Sequence, residues 1–208
     1  MSKSKNPLSD QTKLSPATQL AHGGTQRSQF NETSEASFMT SGYSYTSSQY
    51  AEDLFLNKIN KRAHNYSRCS NPTMEMFQVR MALLEGAEAA RAFATSMSAV
   101  TNAVMGQVRA GDHIVASRAL FGGCRYVVED YLPRWGVSST LVDGGDPENF
   151  ARAMRPNTKF IFVETPTNPA LSLVDLRAVA DIAHAHGALV GALVGSRPHA
   201  ERQVAPGV

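Results

Sequence analysis

Four short segments of this 208-residue chain carry groups that could do chemistry. Thr95-Ser96-Met97-Ser98 joins a strand-like run to a helix-like run. The N–H groups of a helix's first turn lack intrahelical partners, and with the positive dipole end behind them they suit a phosphate. An ordinary serine-capped helix is the competing reading. Tyr66-Ser67-Arg68 offers a planar guanidinium fork and a phenol donor, both fitted to phosphate. Taken alone, an exposed Arg near a Tyr is more often surface than ligand. Leu120-Phe121-Gly122-Gly123 follows a strand, on the side where open α/β sheets bind ligands. Phe121 could stack there on an aromatic ligand, or fill a core. Glu164-Thr165-Pro166-Thr167-Asn168-Pro169 closes another strand at the same edge. Its prolines stiffen it, and Asn168 presents both donor and acceptor. A structural turn is the alternative.

Other reactive side chains give less. His22, His64, His113, His184, His186 and His199 show no metal-ligand spacing with Cys or carboxylates, so no metal site is read. Cys124 lies in a glycine turn without an evident partner base, which reads as a small buried thiol rather than a nucleophile. With Cys69 it makes no disulfide framework. A net charge of +2 with scattered basic residues gives no case for nucleic acid. The longest apolar stretch, 187–195, is far short of the roughly 20 residues of a membrane span. The first residues have no apolar core and do not read as a secretory signal. These features point to a soluble, cytoplasmic protein without a membrane partner.

The elements that position the four segments can be read from periodicity. Residues 1–60 are polar, with Phe30, Phe38, Tyr43, Tyr45, Tyr50 and Phe55 interspersed. That composition suits an arm folded onto another surface; a floppy terminus is the alternative. Asn71-Pro72-Thr73 starts a helix, with Phe77, Met81 and Leu84 as its apolar face and Gly86 as its stop. A short strand at Ala89–Ala94 and a helix over roughly 98–109 follow. Then come a strand at His113–Ala116, a helix over Gly123–Trp135 broken near Pro133, and a strand at Ser139–Val142. A helix at Pro147–Met154, a buried strand at Phe160–Glu164, a helix at Val174–His186 and a strand beginning at Ala188–Val190 complete the series. Repeated strand–helix units predict a parallel sheet with right-handed crossovers, in an order the pattern does not give. The domain reading is an arm over 1–60, an α/β domain over 61–190 and a tail over 191–208. The tail opens with a near copy of Gly187-Ala188-Leu189-Val190 and then turns polar.

In this order, Tyr66–Thr73, Leu84–Ala87, Thr95–Ala99, Gly111–Val115, Leu120–Gly123 and Glu164–Pro169 resemble the Cys/Met-metabolism family of pyridoxal-phosphate (PLP) enzymes. The likeness runs over residues 14–190. Arg27–Ala36, Thr40–Gly42 and Ala119–Glu129 are most similar to the branch that converts O-succinylhomoserine and sulfide into homocysteine and succinate by γ-replacement, in methionine biosynthesis. The resemblance implies an α/β fold: the large domain of a fold-type-I, aspartate-aminotransferase-like PLP-dependent transferase, with an extended N-terminal arm. By the same resemblance Tyr66 and Arg68 would bind the cofactor phosphate of a neighbouring subunit, and Ser96 and Met97 would bind phosphate through backbone N–H groups. Phe121 would stack on the pyridine ring. Asn168 would approach the ring hydroxyl, with Glu164 supporting that loop. The arm would wrap the partner subunit of a homo-oligomer, usually a homotetramer built from two tight dimers.

The sequence departs from the family in two ways. Ser96 stands where the family's phosphate turn has Gly, which could crowd the phosphate or demand a φ that serine dislikes. The pyridine-nitrogen Asp, the Schiff-base Lys and the substrate-carboxylate Arg have no counterparts: the last lysine is Lys159 and the last aspartate Asp181. No catalytic residue is therefore expected among these 208. The expectation is an inactive, truncated or frameshifted form, with an incomplete cofactor domain whose sheet ends on an unpaired apolar edge. One alternative is a non-catalytic fragment that docks on an intact homologue. Another is a full-length parent with cystathionine γ-synthase or γ-lyase activity.

Overall fold

The computed structural model describes residues 11, 13–59 and 63–194. They fall into two compact units that divide between Ala92 and Phe93.

The first unit holds α1 (Pro16–His22), α2 (Ser48–Phe55) and α3 (Pro72–Glu85). Asn71 caps α3 by accepting the Thr73 N–H at Oδ1 (2.9 Å), Pro72 occupies the first turn, and Gly86 closes the helix at φ 64°. The apolar face expected from Phe77, Met81 and Leu84 is not the covered one. Met76, Ala82 and Leu83 are buried, while Phe77 is half exposed. Apolar residues surround α3 on every side, so periodicity could not choose a face. What chooses it is Gly23-Gly24, whose backbone presses on Met76, Val79 and Leu83.

The arm folds back on α3 and on the segment before it. Arg80 donates from Nε to the Gly23 carbonyl (3.1 Å) and pairs through Nη1 with Glu35 (2.8 Å). Asn71 Nδ2 donates to the Phe38 carbonyl (2.9 Å) and to Ser67 Oγ (3.0 Å). Gly42 and Tyr66 form an antiparallel bridge. α2 buries no residue at all.

The second unit is a parallel sheet of β1 (His113–Ser117), β2 (Ser138–Val142), β3 (Thr158–Glu164) and β4 (Leu189–Leu193), in the order β2-β1-β3-β4. α4 (Ser96–Met105) precedes it. α5 (Gly122–Tyr126) runs on as a π-turn over Val127–Tyr131 and a 3-10 turn over Leu132–Trp135; α6 (Glu148–Ala153) and α7 (Leu176–Ala185) supply the later crossovers. The expected single helix over Gly123–Trp135 thus changes pitch twice. Pro133 has no N–H to donate, and the ladder shifts register around it.

Both faces of the sheet are covered. Ile114, Ala116, Phe160 and Phe162 pack under Val100, Val104, Leu120, Cys124 and Val128. Val115, Ile161 and Val163 pack under Phe150, Val174, Val179 and Ala183. This sandwiching explains the uninterrupted apolar runs of β1 and β3.

Two strand expectations are also corrected. Ala89–Ala94 forms no strand: no described segment pairs with it, and Phe93 is 43% exposed. A strand exists only through its partner's hydrogen bonds. The last strand, expected to begin at Ala188–Val190, runs through Leu193, so the second Gly-Ala-Leu-Val takes part in the sheet. Among the described residues β4 pairs with β3 alone. Residues 195–208 of the expected tail lie outside the described set. No described helix is long and apolar enough to cross a membrane.

Candidate functional site

The strand order sets the location. From β1 the chain turns outward to β2, and from β3 it turns the opposite way to β4. The connections after β1 and β3 therefore part company at the carboxyl ends of adjacent strands. That is the switch-point crevice where open α/β sheets bind ligands. Phe121 follows β1 and Asn168 follows β3, so the structure brings these two sequence candidates to that crevice.

Glu164, the last residue of β3, joins the two connections. The residue is 3% exposed. Oε2 accepts the Phe121 N–H and Oε1 accepts the Asn168 N–H at 3.1 Å. The loop beyond is tied at its base. Thr165 Oγ1 accepts the Val174 N–H (3.1 Å), Thr167 Oγ1 accepts the Ser172 N–H (3.0 Å), and the Thr167 N–H donates to the Ser172 carbonyl (3.0 Å). The side chain of Asn168 stays exposed above this base, and the Phe121 ring is 45% exposed.

Ser96 and Met97 open α4, two residues ahead of the helix start predicted at 98. Thr95 is its cap: Oγ1 accepts the Ser98 N–H (3.1 Å) and the Thr95 carbonyl accepts the Ala99 N–H (3.1 Å). The N–H groups of Ser96 and Met97 have no partner among the described residues and stand at the positive end of the helix. Ser96 has an ordinary φ, since among the described residues the non-glycine residues with positive φ are Asn31, Asn57 and Leu171. Serine is therefore unstrained at the position where strain was a concern. Met97 also reaches the Phe121 turn. A Cβ on Gly123 would lie 2.9 Å from Met97 Sδ and 3.1 Å from Phe121 Cε1, so glycine lets both side chains sit this close without shifting. Ser96, Met97, Phe121, Glu164 and Asn168 thus belong to one continuous set of contacts in the second unit.

Tyr66 and Arg68 lie in the first unit. Both are exposed, with the Arg68 guanidinium 5.1 Å from the Tyr66 ring centre. Ser67 between them donates to the Thr40 carbonyl, and the Ser67 N–H donates to the Ser41 carbonyl (2.9 Å). These bonds turn the phenol and guanidinium to the same surface, where a cation over a ring is mildly favourable.

Cys124 is fully buried beneath this site, and burial, with the Glu164 carboxylate nearby, pushes its thiol up to about 11. A thiol so raised is no nucleophile near neutral pH. Among the described residues no group of three or more His, Cys, Asp or Glu is placed to hold a metal. Gly123, Thr95 and Thr167 lay inside the segments read from the sequence, but none was given a role of its own. Their signals were present: a Gly-Gly pair after a strand, a Thr three residues before a Ser at a helix start, and a Thr between two prolines.

The family described as Cys/Met metabolism PLP-dependent enzyme matches residues 17–194. The chain is 46% identical over 177 residues to an O-succinylhomoserine sulfhydrylase of Mycobacterium tuberculosis, covering 85% of this chain and 43% of that protein. It is 36% identical over 174 residues to an L-methionine gamma-lyase of Treponema denticola, covering 84% and 43%. The crystal structure of cystathionine gamma-lyase from Lactobacillus plantarum, complexed with L-serine, superposes with a TM-score of 0.77 at 31% identity, covering 91% and 47%. The chain spans somewhat under half the length of the relatives it matches.

Proposed function

The chain belongs to the Cys/Met-metabolism family of PLP-dependent enzymes, and from that premise we propose that its second unit holds the phosphate and ring of PLP for a γ-replacement on O-succinylhomoserine by sulfide. The observation that carries the reading is the pair of free N–H groups at Ser96 and Met97, set against the Phe121 turn at the switch point. A phosphate fits there without a counter-cation, because the donors and the helix dipole supply the positive potential. Serine adds a hydroxyl donor beside those N–H groups.

The residues divide the work. Ser96 and Met97 hold the phosphate, and Phe121 offers its exposed face to the ring. Asn168 meets the ring hydroxyl with either end of its amide. Tyr66 and Arg68 serve the phosphate of a second copy in a homo-oligomer, and the arm lies along that copy. PLP, when bound, supplies an electron sink for bonds broken at the substrate's carbons. The groups that move protons in such chemistry need a lysine and a carboxylate near the ring. Lys159 is exposed at the amino end of β3, opposite Glu164. Lys159 is the one lysine of the second unit, so we assign that unit a holding role and no turnover of its own.

The test is to incubate the purified chain with PLP, O-succinylhomoserine and sulfide. The expected result is reversible PLP binding that inorganic phosphate displaces, with no homocysteine. Sustained sulfide-dependent homocysteine formation, with borohydride fixing the cofactor to one lysine of this chain, would overturn it.

A further inference from the structure

Glu164 is a buried carboxylate with an unusual set of partners. It makes no ion pair with Lys, Arg or His among the described residues. Its two oxygens are instead taken by backbone N–H groups 43 and 4 residues away, on Phe121 and Asn168. A carboxylate without a cation is costly to bury unless such donors satisfy it. One of them stands at the start of α5, which has no side-chain cap, so the charge also faces a helix N-terminus. With both oxygens engaged and 3% exposure, the group is closed to a ligand in the crevice.

We propose that Glu164 is a positioning residue, not a ligand-contacting one: it holds Phe121 and Asn168 as a single unit and sets the ring face against the phosphate turn. This rests on the PLP-holding reading above. The chain of contacts is continuous. Met97 meets Gly123, whose missing Cβ lets the Phe121 turn seat on α4. The Phe121 N–H meets Glu164, and Glu164 meets the Asn168 N–H. The loop base is fixed separately by Thr165 and Thr167, so loss of Glu164 frees the Asn168 end while the base holds. Phosphate at Ser96 and Met97 depends on none of this, because those N–H groups are placed by α4 itself.

Glu164→Gln is nearly isosteric, but it turns one acceptor into an NH2 that confronts a backbone N–H. Titrations with pyridoxal phosphate and with inorganic phosphate, on wild type, E164Q, F121L and the double variant, separate the roles. The expected result is that E164Q weakens pyridoxal phosphate by about tenfold, the size of one charge-assisted hydrogen bond, and leaves inorganic phosphate unchanged. F121L then adds nothing in the E164Q background, since the ring is already misplaced. Equal weakening of both ligands, or additive effects of F121L and E164Q, would overturn the proposal. Hydrogen exchange of the Phe121 and Asn168 amides decides the coupling without any ligand. Both must lose protection together in E164Q, and retained protection of either overturns it. If wild type binds neither ligand while the two amides respond together, the PLP reading fails and the coupling stands.

Discussion

Acidification from about pH 7 to about pH 4.5 is expected to cost the second unit about 2 kcal/mol through His113 alone. His113 is fully buried at the amino end of β1 and ties three strands together. Nδ1 lies 2.8 Å from Thr158 Oγ1 on β3, and Nε2 lies 2.9 Å from Thr140 Oγ1 on β2. Arg155 approaches the same two hydroxyls, with Nη2 donating to Thr140 Oγ1 (3.0 Å) and its backbone N–H to Thr158 Oγ1 (2.8 Å). Burial, and then the Arg155 charge, lower the imidazole pKa from 6.5 to about 4. The unfolded chain, with the ordinary value, binds this proton between those two limits and the folded chain does not. Stability is therefore intact above pH 6.5 and falls as pH drops toward 4. Each pKa unit is worth about 1.4 kcal/mol, so most of a ceiling of ~3 kcal/mol has been lost by about pH 4.5. Urea unfolding followed by the fluorescence of Trp135, the sole tryptophan, reads this unit. The variant His113→Gln subtracts the carboxylates that titrate in the same range. If wild type and H113Q lose the same stability over this window, the linkage assigned to His113 is wrong.

Three other substitutions or probes test particular contacts. Gly191→Ala in β4 places a Cβ 2.3 Å from Phe160 Cζ, and overpacking of this kind should cost about 1–3 kcal/mol in urea unfolding, against nearly nothing for Ala192→Ser on the exposed side. Asn71→Ala removes the α3 cap, one bond to the arm at Phe38 and one to Ser67, so the first unit should lose about 2–3 kcal/mol, with the Phe38 region becoming the first proteolytic cut. Alkylation with iodoacetamide at about pH 8, read by mass spectrometry, should label exposed Cys69 in the folded chain and spare Cys124 until urea is added. Equal labelling of the two thiols would place Cys124 elsewhere than in the core.

The parts of the fold that were legible in the sequence were those fixed by local chemistry. The alternation of β1, β2 and β3 with their helices follows from apolar runs punctuated by glycine, and the α3 start from Asn71-Pro72. What was illegible depended on partners distant in the chain. Ala89–Ala94 has the composition of a strand and, among the described residues, no neighbour to pair with. Phe77, Met81 and Leu84 have helical spacing, but Gly23-Gly24 covers the other face of an all-round apolar helix. The order β2-β1-β3-β4, which makes the space between β1 and β3 the crevice, leaves no mark in periodicity. The candidate site residues came from a motif series, yet the place of Glu164 required seeing two amides 43 and 4 residues away converge on one carboxylate.

The central claim is that the N–H groups opening α4 take a phosphate and that Phe121 takes the ring joined to it. The most direct measurement is the amide spectrum of the isotopically labelled chain, titrated separately with pyridoxal phosphate, inorganic phosphate and pyridoxal. The account predicts that Ser96 and Met97 shift with both phosphate-bearing ligands, that Phe121 shifts only with pyridoxal phosphate, and that pyridoxal alone moves none of them at the same concentration. Unmoved Ser96 and Met97 amides at saturating pyridoxal phosphate, with shifts confined to residues around the lysines, would contradict it.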